Sequence, residues 1–186
     1  MRFAINHGTV TAAWALSILS AGASLHFYEV TPSTNQIAPQ TLREPSRTNT
    51  LLVFAHPKCP CTVATLKCLE ELHQVHPEIQ VELALVIPPN SPKLFEDGPS
   101  SEWQASHRWA KRTIDRNGTL AKSLGAIASG HTFLFEEKGD VVFAGGITRA
   151  RGVVGESTAL RDLITCINGK QSFGLSRHDV FGCSLL

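Results

Sequence analysis

Leu51-Leu52-Val53-Phe54-Ala55-His56-Pro57-Lys58-Cys59-Pro60-Cys61-Thr62, with the run from Val63 to His76 behind it, is the stretch that decides the fold. Its first five residues are apolar and rich in β-branched and aromatic types, which predicts a buried strand. A proline-containing turn with two cysteines comes next. Val63, Leu66, Leu69, Leu72 and Val75 then recur at helical spacing, predicting a helix with one face packed under a sheet. Pro60 suits the first helical position, where its fixed φ and missing N–H cost nothing. A helix N-terminus carries unpaired N–H groups and about half a unit of positive charge, so sulfur placed there favours the thiolate. Cys59 and Cys61 are therefore candidate reactive residues, with Cys59 expected to be the more exposed at the turn.

A Phe-containing strand running into a cysteine-bearing helix start resembles the thioredoxin superfamily, in which the cysteines are spaced Cys-x-x-Cys. Here a single residue, Pro60, separates them. A disulfide across one residue closes a small, strained ring, and strained bridges are more easily reduced. Either Cys59 and Cys61 form a labile bridge, or each has another partner. Asp115-Arg-Asn-Gly118-Thr-Leu-Ala-Lys-Ser-Leu-Gly125 is similar to a segment of membrane-anchored thioredoxin-like proteins of the TlpA and ResA kind. In those proteins it leads to a cis-proline loop that faces the cysteines. The matching place here holds Ser129-Gly130-His131, without proline. Cis peptides are nearly confined to X-Pro, so a trans, glycine-adapted loop is expected at Gly130. The resemblance implies that backbone able to pair with an extended substrate persists there, and that His131 neighbours the thiols. It also implies that the loop holding Arg149 and Arg151 borders them. His-Pro-x-Cys-Pro-Cys, Ser-Gly-His, Gly-Gly-Ile-Thr and the terminal Val-Phe-Gly-Cys together resemble a bacterial RedB-like group, over Leu51 to Cys183.

Around this centre, Ile79 to Ile87 reads as a second strand, giving a βαβ unit with a right-handed crossover. Glu102 to Thr113 carries a helical pattern through Trp103, Trp109 and Ala110, the two tryptophans being expected in packing. Thr132 to Phe143 reads as a hairpin turning at Gly139, and Glu156 to Asn168 as a last helix that buries Leu160, Leu163, Ile164 and Ile167 and stops at Gly169. The resemblance implies a thioredoxin-like three-layer α/β/α fold with a central mixed sheet, preceded by an N-terminal hydrophobic helix. The expected division is a signal anchor or signal peptide over 1–30, a Pro/Thr/Ser-rich linker over 31–47, the folded domain over 48–172, and a tail over 173–186 carrying Cys183.

The 186 residues, 42% of them hydrophobic, suit one domain with a sizeable core plus terminal segments. Net charge is +1 with acids and bases interspersed, so no nucleic-acid footprint is present. Five cysteines leave at least one unpaired or paired between molecules. Val10 to Leu25 is uncharged and mostly apolar, extendable through Phe27 and Tyr28, and Arg2 lies on its short side. By the positive-inside rule the N-terminus is cytoplasmic and the rest outside. This predicts a bacterial inner-membrane protein whose domain faces the periplasm or cell exterior, or a secreted one if the segment is cleaved at Ala21-Gly22-Ala23. The thiols then meet an oxidising compartment.

No nucleotide, esterase or zinc-protease motif is present. The leading expectation is a membrane-tethered thiol–disulfide oxidoreductase acting on protein thiols or disulfides, without a cofactor. Cys59 attacks, and Cys61, or Cys183 from a freely moving tail, resolves. His56, Lys58, Pro60, Gly130, His131 and Arg151 support the site, with Lys58 or Arg151 lowering the attacking pKa. The alternative is Cu(I) held by Cys59, Cys61 and His56 or His131, since thiolate and imidazole suit that ion. A third reading is a redox-inert interaction module. Cys68 lies about two helical turns, roughly 10 Å, past Cys61 and is expected in the core, as is Cys166.

Overall fold

The computed structural model describes residues 7–33, 44, 46–170 and 174–186. Most of the expected linker (34–43 and 45) lies outside them. The elements in chain order are α1 (His7–Val30), β1 (Thr50–Ala55), α2 (Thr62–Val75), β2 (Gln80–Ile87), α3 (Pro99–Ser106), β3 (Ala110–Arg116), α4 (Thr119–Leu124), β4 (Thr132–Phe135), β5 (Val141–Gly145), α5 (Thr158–Ile167) and β6 (Ser176–Arg177). The strands form one sheet in the order β3-β2-β1-β4-β5-β6. β1 pairs in parallel with β2, and β2 with β3. β4 joins β1 antiparallel and pairs antiparallel with β5. β6 adds a short parallel edge on β5.

β1 is central and buried along its whole length, which is why its sequence is continuously apolar rather than alternating. On one face, Leu51 and Val53 with Leu83 and Leu85 pack against Leu66, Leu69 and Leu72 of α2 and Leu163 of α5. On the other face, Leu52, Phe54, Phe133 and Phe135 meet Ala121 and Leu124 of the short α4, and Leu185 from the C-terminal tail. The tail thus completes a layer that α4 alone is too short to cover.

Two local expectations are corrected. The helix expected over 102–113 is instead α3, ended at His107, followed by β3 from Ala110. β3 is an outer strand whose Lys111, Arg112 and Arg116 face solvent, so it lacks the apolar signature of its neighbours. Trp103 and Trp109 do pack together, with ring centroids 5.4 Å apart, but from α3 and from the turn before β3. In α2, Leu66, Leu69 and Leu72 are buried, whereas Val63 and Val75 are 36% and 71% exposed. The buried face instead takes Thr62, Ala64, Thr65 and Cys68, small or polar groups that a search for large apolar residues passes over.

The hairpin of β4 and β5 turns at Gly139, whose φ of +89° is one that glycine adopts freely. Ser157 caps α5, its hydroxyl accepting from the Leu160 N–H at 2.9 Å. α1 is one continuous helix, and its Gly8–Val30 portion is long and apolar enough to cross a bilayer, about 35 Å at 1.5 Å per residue. No residue of that portion is buried, and its end meets the domain through Arg151, at Tyr28 and Glu29.

Candidate active site

β1 ends at Ala55, and the chain turns through His56 to Cys61 into α2. Cys59 N–H donates to the His56 carbonyl at 3.1 Å, and the N–H groups of Thr62, Val63 and Ala64 donate to the carbonyls of Cys59, Pro60 and Cys61 at 3.2 to 3.3 Å. These tight turns lead straight into the helix. Cys61 is its N-cap and contributes no side-chain cap. Pro60 therefore sits in the turn before the helix instead of at its first position.

Three sulfurs converge here. The Sγ atoms of Cys59, Cys61 and Cys183 all lie within 4.8 Å of one another, and Cys59 Sγ stands 2.6 Å from Cys183 Sγ. Cys59 is only 1% exposed, while Cys61 and Cys183 are half-buried. The order of exposure is the reverse of the expected one, because Cys183 covers Cys59.

The tail that delivers Cys183 is docked and not free. After β6, His178 N–H donates to the Ala144 carbonyl (3.0 Å), and Gly146 N–H to the Asp179 carbonyl (3.1 Å). The tail then passes along the 127–129 loop. Ser129 N–H donates to the Cys183 carbonyl (2.8 Å), Leu185 N–H donates to the Ile127 carbonyl (3.2 Å), and Ala128 and Ser184 form an antiparallel bridge. Val180 and Leu185 are buried. Gly182 is required: a Cβ there would lie 1.9 Å from the Ser129 carbonyl oxygen.

The loop opposite the cysteines is held by β1. Gly130 N–H donates to the Phe54 carbonyl (2.7 Å) and Phe54 N–H to the His131 carbonyl (2.9 Å). Gly130 has φ +91°, and no cis peptide occurs among the described residues, in line with a glycine-adapted loop. The Ser129 hydroxyl accepts from His56 N–H at 2.8 Å and shares a 2.5 Å hydrogen bond with the Thr62 hydroxyl. Ser129 and Thr62 were not singled out in the sequence, where isolated hydroxyls carry no pattern. Gly182 left a faint signal, as a glycine beside a terminal cysteine with Leu185 following it.

The electrostatics separate the sulfurs. Burial pushes the Cys59 thiol up, but hydrogen bonds from Cys183 and Thr62, side chain and backbone, outweigh it and leave the pKa below the ordinary value. Burial and the neighbouring Cys59 raise Cys61, against a lowering by its hydrogen bond with Cys183 and a smaller one by Arg151. Cys183 is pushed up to about 12 by burial and by its hydrogen bond to Cys59. Of the three sulfurs, Cys59 is the one shifted toward the thiolate, while Cys61 and Cys183 are shifted toward the thiol.

The supporting residues divide. Arg151 acts on Cys61, not on Cys59, and anchors the exit of α1: its backbone N–H donates to Glu29 O (3.1 Å), its guanidinium to Tyr28 O (3.0 Å) and Thr31 O. Ser33, just beyond, pairs with Val180 of the tail and donates from its hydroxyl to the Gly182 carbonyl (3.3 Å). Arg149 is exposed. Lys58 lies over the Phe95 ring at 5.6 Å, and its charge is not among the influences on Cys59. His56 Nδ1 accepts from Lys58 N–H at 3.2 Å, and burial and the Lys58 charge lower its pKa. His131 is buried, stacked on Phe133 with ring centroids 4.5 Å apart, and burial lowers its pKa to about 4. Neither imidazole joins the group of three sulfurs. His131 is displaced because its ring turns down onto Phe133 while only its backbone meets β1.

A hypothetical protein from Sinorhizobium meliloti superposes with TM-score 0.62 at 15% identity, over 84% of this chain and 97% of that one. An uncharacterized conserved protein from Geobacillus kaustophilus gives 0.58 at 14%, over 84% and 93%. The fold is thioredoxin-like. A secreted Mycobacterium tuberculosis disulfide oxidoreductase superposes at 0.46 with 10% identity, over 67% of this chain and 83% of that one, a likeness too loose to speak to chemistry. No family model and no curated protein matches the sequence.

Proposed function

We propose that the protein is a thiol–disulfide oxidoreductase, tethered by α1 and working outside the cytoplasm, whose exchanging pair is Cys59 and Cys183 with Cys61 as a third thiol. One observation carries this reading: the Cys59 and Cys183 sulfurs are 2.6 Å apart at the start of a helix. When a partner disulfide takes two electrons from these thiols, only a slight approach of the sulfurs is needed to reach the bond length of about 2.05 Å, the two protons going to the partner's released thiols. A lowered pKa makes Cys59 the better thiolate and the better leaving group. The long-range partner also removes the difficulty of a one-residue ring between Cys59 and Cys61. The unburied apolar α1 supports the tether, and the pairing of Ser33 with the tail keeps the sulfurs near the helix exit, favouring membrane-proximal protein thiols or disulfides as partners. The Cys-Pro-Cys block and Val-Phe-Gly-Cys end support a RedB-like grouping. Thiol-linked turnover by the exported protein tests the function: Cys59→Ser should reduce it to background, and full activity in that variant refutes the assignment.

A second reading is favoured by the cluster itself. Three thiolates within 4.8 Å form a soft donor set suited to Cu(I). Copper retained one-to-one after anaerobic purification, and lost in the Cys59→Ser/Cys61→Ser double variant, would support a carrier; wild-type protein free of copper after anaerobic loading and desalting would exclude it.

A further inference from the structure

Cys183 does more than supply a second sulfur, because the tail is seated the way an extended polypeptide is seated when it is captured by strand addition. On one side it bonds the 127–129 loop through Ser129 N–H and Leu185 N–H. On the other, Ser33 N–H donates to the Val180 carbonyl at 2.8 Å. Glycines make the approach close: Gly182 lies on the Ser129 carbonyl, and a Cβ on Gly146 would come 2.8 Å from the Asp179 carbonyl. Beneath this strand Cys59 is 1% exposed, whereas Cys183 keeps part of its surface.

We propose that residues 178–186 are a resident substrate segment, and that outside protein thiols exchange with Cys183 at the surface while Cys59, sealed beneath, acts as the leaving and re-forming partner. This rests on the exchange reading above. In the oxidised protein, a partner thiolate, its proton given to solvent, attacks Cys183 Sγ. A partner–Cys183 bond forms, the Cys183–Cys59 bond breaks, and the electron pair leaves on Cys59. The partner's second thiolate then attacks its own bridged sulfur, closing the partner disulfide and releasing Cys183, which takes up a proton. The partner dithiol has lost two electrons and the Cys59/Cys183 pair has gained them. Run backwards, a partner disulfide reoxidises the pair. The released Cys183 thiol settles back beside Cys59 Sγ, 2.6 Å away, so the tail's seat serves both redox states.

The test uses the full chain carrying Cys61→Ser, so that only Cys59 and Cys183 exchange at this site. The oxidised protein is mixed with a single-cysteine peptide, quenched in acid at early times, digested, and the adduct located by mass. Nearly all the peptide should be on Cys183, with Cys59 a free thiol. Peptide mainly on Cys59 overturns the resident-substrate inference while leaving exchange intact. Absence of any Cys59–Cys183 bridge before mixing removes the exchange reading as well. Adding Gly182→Ala, which forces the tail off the Ser129 carbonyl, should raise the share of adduct on Cys59 several-fold, and an unchanged share contradicts the seat.

Discussion

Cys59 and Cys68 are equally hidden, at 1% and 0% exposure, yet their chemistry points in opposite directions. Burial raises the Cys68 thiol, a hydrogen bond from the Gly155 backbone offsets it only in part, and the sulfur packs among Leu66, Leu69 and the sheet. Cys59 suffers the same burial but faces a helix start, the Thr62 hydroxyl and N–H, and the Cys183 thiol, and its pKa falls. Cys166, on α5, follows Cys68: burial first, then the Asp162 charge, raise it. Exposure is thus a poor guide to a reactive sulfur. Donors within hydrogen-bond reach decide, because a buried anion is tolerated only where such donors replace water.

The largest contrast comes from replacing the two sulfurs. Cys59→Ser should take exchange to background, since an alcohol does not enter disulfide exchange, while Cys68→Ser should leave exchange at the wild-type rate. A third buried group extends the comparison. His131 has no hydrogen-bond partner for either ring nitrogen among the described residues and a pKa of about 4 against 6.5 when unfolded. Between those values the unfolded chain binds the proton and the folded one does not, so stability falls as pH drops from 6.5 to 4, by about 3 kcal/mol in all. His131→Phe, which keeps a ring on Phe133, should remove that acid loss in denaturant titrations run at pH 7 and pH 4; an equal loss in the variant would place the acid sensitivity elsewhere.

Cys68→Ser should itself cost about 2 kcal/mol of unfolding free energy, the penalty for a hydroxyl brought into an apolar core. A cost near zero would mean that the Gly155 backbone group, which already reaches the sulfur, satisfies the hydroxyl as well. The smallest expected effect is also the most local. Thr62→Val removes the hydroxyl that helps hold the Cys59 pKa down, so that pKa should rise and exchange should begin at higher pH. Thiolate absorbance followed against pH reads this directly, and an unmoved titration would leave Cys183 as the effective donor.

Much of the architecture was legible because its signals are local. The apolar run of β1, the 3.6-residue spacing of α2 and α5, and the glycine turn of the β4–β5 hairpin are each set by neighbours in sequence. β3 was misread because an edge strand with polar faces carries no apolar period, and two tryptophans six apart suggested a helix. At the site, the placement of Cys59 and Cys61 followed from strand, turn and helix order. Their partner did not: Cys183 is 124 residues from Cys59, and nothing local specifies that Val180, Gly182 and Leu185 seat the tail against 127–129. The histidines failed for a related reason, since proximity of the His131 backbone to β1 does not fix where its ring points.

The central claim is that the tail sulfur, and not the adjacent one, is the partner of Cys59. Peptide mapping of the full chain after mild oxidation, with free thiols alkylated first, tests it most directly. The account predicts a Cys59–Cys183 bridge with Cys61 alkylated; a Cys59–Cys61 bridge, or all three sulfurs alkylated, would contradict it.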